Sequence, residues 1–183
     1  MLEIMLVVAI VLVALGAFYS QTLGSGSGVA PAAIDALPAL VENARTVAAG
    51  SGDGATVTFV QFPSTGAGRE SFEVALFADR PNPGSSFAPV PLRSERFSGA
   101  FRASLGAGPF ALFISSSGTA SFANWTVGSP PLQTEPACTA PLYILVAGNA
   151  TAAQNAPLLP QAGPRNGIAR FELDCGEARL QPL

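Results

Sequence analysis

The hydrophobic pattern changes its period twice along the chain. From Ile4 to Phe18 every residue is apolar or glycine, with a single carboxylate, Glu3, at its front. Leu, Met and Ala favour helix, and Ile and Val are tolerated where packing supports them. At about 1.5 Å per residue, Met1 to Tyr19 as a helix would span roughly 28 Å, which reaches the lower limit for a bilayer crossing of about 17–25 residues. Gly24-Ser-Gly-Ser-Gly28 then breaks the run. From Pro31 to Ala49, apolar residues recur at spacings of three and four (Ile34, Leu37, Val41, Ala44, Ala48), which predicts an amphipathic helix that Pro38 kinks or shortens. Gly50-Ser-Gly-Asp-Gly54 closes it.

From Ala55 the period falls to two. The expected strands are Ala55–Phe62, Ser71–Ala78, Phe97–Leu105, Phe110–Ser115, Ala120–Val127, Leu142–Ala147 and Ile168–Cys175, bounded by Gly-, Pro- and Ser-rich turns. Gly106-Ala-Gly-Pro109 reads as a hairpin connection. Residues 80–91 and 148–166 read as long loops, and Leu142–Ala147, the most apolar strand, as a central one. Trp125 reads as a core or sheet anchor. The fold class expected is α+β: a long N-terminal hydrophobic helix, pilin-like and broken near the Gly/Ser run, then an amphipathic helix packed on a C-terminal antiparallel β-sandwich. The divisions are residues 1–23 (transmembrane and assembly helix), 24–50 (Gly-rich joint and amphipathic helix) and 51–183 (β-rich globular domain).

Three readings compete for the first stretch. A secretory signal peptide needs a basic front, yet no Lys or Arg precedes Arg45. A plain membrane anchor leaves Glu3 in the headgroup layer. The third reading rests on Glu3-Ile-Met-Leu-Val-Val-Ala-Ile-Val11, which resembles the signature of type IV pilins and type II secretion pseudopilins, a lone Glu followed by an unbroken aliphatic run. The aliphatic run falls into the family's register with Met1 as the third mature residue, so the family's basic leader and the Gly before its cleavage point would lie ahead of Met1. Val41-Glu-Asn-Ala-Arg-Thr-Val-Ala-Ala49 leading into Ala55-Thr-Val-Thr-Phe59, with Phe113-Ile-Ser-Ser-Ser-Gly118, is similar to the H-type minor pseudopilins, the GspH/FimT group. The alternative is a main filament subunit.

This resemblance implies a structural subunit of a type IV pilus-like or pseudopilus filament, N-methylated after processing. Its assembly residue would be Glu3, which in the family neutralises the terminal amine of an adjacent subunit and sets register. The helix core would be Ile4, Leu6, Val7, Val8, Ile10, Val11 and Leu12. It implies as partners copies of itself, other pilin-like subunits, the pilus assembly platform and, before assembly, the inner membrane. The location would be inner membrane first, then a cell-surface filament. The rival is a single-pass anchored extracytoplasmic β-sandwich binding module that does not polymerise.

Composition narrows the chemistry. Charged residues are 11% of 183, the net charge is −3, and all nine basic residues are Arg. No basic cluster exists, so direct nucleic-acid binding is not indicated. Without His, Ser or Cys chemistry on a His base is excluded. The Gly-rich runs lack the Lys of a phosphate loop. Glu70 with Glu73, and Glu172 with Asp174, alternate as solvated strand residues do. Glu172, Asp174 and Glu177 carry the oxygens a calcium ion takes, but neither a metal nor any cofactor is expected, and the chain reads as no enzyme. Cys138 and Cys175 read as a disulfide in an exported protein. Asn124-Trp-Thr126 and Asn149-Ala-Thr151 match the N-glycosylation pattern.

Overall fold

The computed structural model describes residues 31–52, 54–63, 70–78, 90–127, 138, 140–160 and 167–183, with only the backbone of 31 and 32. Helix α1 (Pro31–Ser51) leads into strands β1 (Ala55–Phe62), β2 (Ser71–Ala78), β3 (Arg93–Ser98), β4 (Ala100–Ala103), β5 (Phe110–Ile114), β6 (Ala120–Asn124) and β7 (Leu142–Ala147). Helix α2 (Ala150–Asn155), β8 (Ala169–Asp174) and β9 (Arg179–Pro182) follow. Sheet I runs β3-β2-β1-β5-β6 and sheet II runs β4-β7-β8-β9. Every pairing in both is antiparallel.

The fold class therefore needs correcting. The described residues are mostly β, two antiparallel sheets with one helix near the N-terminus, and not an α+β chain led by a long apolar helix. No helix among the described residues is long and apolar enough to cross a membrane. Helix α1 has 21 residues but only one apolar face. Its outer side carries the exposed Asp35, Glu42, Asn43 and Thr46. Residues 1–23, where the long hydrophobic helix was expected, lie outside the described residues.

The stripe that α1 buries is Ala33, Leu37, Leu40, Val41, Ala44 and Ala48, while Ile34 stays 39% exposed. Leu40 takes the place expected of Ile34, and the helix runs through Pro38 without a new start. Burying Leu37, Leu40 and Val41 stabilises by roughly 1.5–3 kcal/mol each. These side chains share one core with Val57 and Phe59 of β1, Phe72 and Val74 of β2, Phe110 of β5, and Phe171 and Leu180 of sheet II. Helix α1 thus lies beside β9 and, with sheet II, covers one face of sheet I. Phe101 of β4 joins the layers: its ring meets Phe59, Phe72 and Phe110 edge-on at 5.6–5.9 Å between centroids.

The expected strand Phe97–Leu105 is two strands in two sheets. The chain leaves sheet I after Ser98 and enters sheet II at Ala100, turning at Gly99 with φ +111°. A Cβ there would stand 2.3 Å from the carbonyl oxygen of Ala147, so only glycine fits. Gln61 seals the crossing: its Nε2 donates to the carbonyls of Ser71 (3.1 Å) and Gly99 (3.3 Å), and its Oε1 accepts from the Phe101 N–H (3.1 Å). A side-chain amide thus replaces the ladder bonds that the backbone loses as it changes sheets. For the same reason the Gly106–Pro109 connection is not a hairpin: it joins β4 in sheet II to β5 in sheet I. The strand expected to end at Val127 stops at Asn124. Trp125 is half-buried beyond it, and its N–H donates to Pro109.

Candidate functional site

Strand β8 alternates cleanly. Ala169, Phe171 and Leu173 enter the core, while Arg170, Glu172 and Asp174 point away from it. The register places Tyr143 of β7, Glu172 and Gln181 of β9 in one row across the outer face of sheet II. Arg179 lies opposite Asp174, and Arg102 opposite Leu145. Helix α2 covers only part of this face, through Ala153 and Ala156 against Ala100, Leu145 and Ala147. Where α2 ends its cover, a cleft of ≈ 490 Å³ opens, lined by Glu172, Asp174, Gln181, Pro141, Pro182 and the Cys138–Cys175 disulfide.

Helix α2 was expected to be loop. Its signal is local: Asn149 stands at the N-cap, its Oδ1 accepting the Ala152 N–H at 2.7 Å, before a run of helix formers. Charges hold both ends in the sense that the helix dipole favours. The Glu70 carboxylate accepts from the Ala150 N–H, and the Arg102 guanidinium donates to the carbonyls of Gln154 and Ala156. Arg170 Nε donates to Pro157 at 3.0 Å. Glu70 is thereby a structural anchor, and Glu73, on β2, does not converge with it.

Two carboxylates border the cleft and each is oriented by one internal bond. Tyr143 Oη donates to Glu172 Oε1 at 3.5 Å, the long limit for such a bond, and Gly176 N–H donates to Asp174 Oδ1 at 2.8 Å. The second oxygen of each is left for other donors. Glu177 lies beyond, in the turn between β8 and β9. Among the described residues, no group of three or more His, Cys, Asp or Glu is placed to hold a metal ion.

The disulfide joins Cys138, in the β6–β7 connection, to Cys175, directly after β8, with Cα atoms 6.1 Å apart. The Cys175 carbonyl accepts from the Ala120 N–H at 2.8 Å. The crossing from sheet I to sheet II is thus fastened to the end of β8 beside the start of β6. Glu3, Ile4, Leu6, Val7, Val8, Ile10, Val11 and Leu12 all lie outside the described residues. Sequence reasoning missed Gln181 because β9 is a four-residue strand ending in Pro182, too short for periodicity to register. Comparison with protein-family models, with curated proteins and with solved structures finds no match.

Proposed function

We propose that the chain is a structural subunit of a type IV pilus-like or type II secretion pseudopilus filament. The observation that carries this reading is Glu3 at the head of the uninterrupted apolar segment Ile4–Phe18, followed by an amphipathic helix built into a β-domain. The apolar segment holds the subunit in the inner membrane before assembly and then packs with those of other subunits at the filament centre. An ionised Glu buried there is strongly destabilising unless paired, and an N-terminal amine is the cation that this Lys-free front can meet. Partners are further copies, other pilin-like subunits and the assembly platform. The β-domain forms the outer shell at the cell surface.

The sheet edges support this route over strand addition. Edge strands invite pairing unless they are charged, short, proline-bearing or covered. Strand β3 carries Arg93, Glu95 and Arg96; β4 has four residues with α2 against it; β9 has four and ends in Pro182; β6 is tied by Ala120 to Cys175. A second reading, an anchored binding module that does not polymerise, draws on the cleft of sheet II. Shearing filaments from cells and probing sheared and membrane fractions for wild type and Glu3→Ala separates the two. The filament reading expects wild type in the sheared fraction and the variant confined to the membrane. Equal shedding of both, or neither leaving the membrane, would contradict it.

A further inference from the structure

We infer that the Cys138–Cys175 disulfide exchanges with small thiols from the cleft of sheet II, that it reacts faster with cationic aminothiols than with anionic thiols, and that the incoming thiol is taken up on Cys175. Both cysteines are half-buried, lie outside the two apolar cores and line the ≈ 490 Å³ cleft, so a reagent that enters the cleft meets the bond. Glu172 and Asp174 line the same cleft. Arg179 lies opposite Asp174 in the strand register but does not line it. Arg102 and Arg170 are held by the carbonyls of Gln154, Ala156 and Pro157, at the end of α2 and just after it. Among the described residues lining the cleft, the charged side chains are therefore these two carboxylates.

The attacking species in exchange is the thiolate, and the sulfur that leaves faster is the one that better holds negative charge. Within three residues along the chain Cys175 has Glu172, Asp174 and Glu177, whereas Cys138 has Glu135 alone. Nearby carboxylates disfavour a thiolate on Cys175, so Cys138 leaves and the attack falls on Cys175. The incoming thiolate supplies the electron pair of the new S–S bond. The pair of the old bond goes to Cys138, which takes a proton from water. A second thiolate then attacks the mixed disulfide, releasing a symmetric disulfide and the Cys175 thiol; two thiols are oxidised and the bridge is reduced. The same carboxylates repel an anionic reagent and attract an ammonium group. Each unit of charge on the thiol should change the rate about three- to tenfold at low salt. The chemistry belongs to the β-domain and holds whether or not the subunit polymerises.

The test treats the oxidised full chain, in non-ionic detergent, with three thiols of one skeleton: cysteamine, 2-mercaptoethanol and 2-mercaptoethanesulfonate. Loss of the bridge is followed by acid quench and alkylation, and each rate is taken per thiolate and divided by that on bis(2-hydroxyethyl) disulfide. The expected order is cysteamine, then mercaptoethanol, then the sulfonate, with the first and last about tenfold or more apart at roughly 20 mM salt and closer at roughly 0.5 M. Peptide mapping of quenched samples should find the mixed disulfide on Cys175. Glu172→Gln combined with Asp174→Asn should narrow the spread toward one, whereas Asp35→Ala, on the exposed face of α1, should leave it unchanged. Equal rates for the three thiols, a spread that survives the double variant, an adduct mainly on Cys138, or no reaction until denaturant is added overturns the inference. None of these outcomes bears on filament assembly, which is read from the sheared fraction.

Discussion

Gly99→Ala probes the crossing that makes one fold of two sheets. Its backbone sits at φ +111°, where an L side chain is strained by about 1–3 kcal/mol. The added Cβ would also meet the Ala147 carbonyl oxygen at 2.3 Å and its carbon at 3.3 Å. Both are backbone atoms of β7, so no flexible side chain can yield. Relief must come from moving β4 off β7, at the pair Ala100–Ala147 where their ladder begins, and such overpacking costs typically a further 1–3 kcal/mol. A total of about 3 kcal/mol or more follows, against whole-domain stabilities of about 5–15 kcal/mol. For a chain of this length that lowers Tm by roughly 6–12 °C. Gly118→Ala is the control: its φ is +83° but a Cβ there has open space, so strain alone remains, about 1 kcal/mol. Urea unfolding of the full chain in detergent, followed by circular dichroism, measures both. A Gly99→Ala loss no larger than that of Gly118→Ala would refute the account of the crossing.

Other perturbations test neighbouring parts. Gln61→Leu strips the Gly99 carbonyl and the Phe101 N–H of their partner and should cost about 1–3 kcal/mol in the same assay; Gln61→Glu, which keeps the acceptor but not the donor, should fall between Leu and wild type. Phe101→Ala removes the ring that three phenylalanines of sheet I contact, and a loss of about 3–5 kcal/mol is expected; a shift below about 1 kcal/mol would place the junction elsewhere. Replacing Cys138 and Cys175 by Ser opens a loop of sequence separation 37, for which chain entropy gives about 4 kcal/mol, and reduction of the wild type should reproduce the lowered urea midpoint. An unchanged midpoint would make the bridge dispensable.

Where one period rules a segment and both ends carry turn residues, the sequence was readable. Strands β1 and β2 occupy the expected Ala55–Phe62 and Ser71–Ala78, because alternating Val and Phe are bounded by Gly54, Pro63 and the loop before Ser71. Leu142–Ala147 lies inside sheet II, since apolar residues on both faces need cover on both. Phe97–Leu105 misled because its alternation continues through Gly99, and the sheet change is a tertiary event with no local period. Ile34 misled because the i, i+3 and i, i+4 rows on either side of Leu37 are equally spaced, and only tertiary packing into the shared core selects Ala33 and Leu40. The fold class erred by extending the apolar Ile4–Phe18 pattern into a statement about the whole chain, most of which is sheet. The cleft was half legible: Glu172 and Asp174 alternate visibly, but Gln181 and Tyr143 join them only through strand register.

Mass spectrometry of the mature amino terminus, on protein taken from filaments and membranes of its native host, meets the filament proposal most directly. The account predicts an N-methylated terminus a residue or two ahead of Met1, with Glu3→Ala processed in the same way yet missing from the filaments. An unmodified terminus, or cleavage within the apolar run near Gly16 or Ala17, would contradict it and leave an anchored or secreted β-domain.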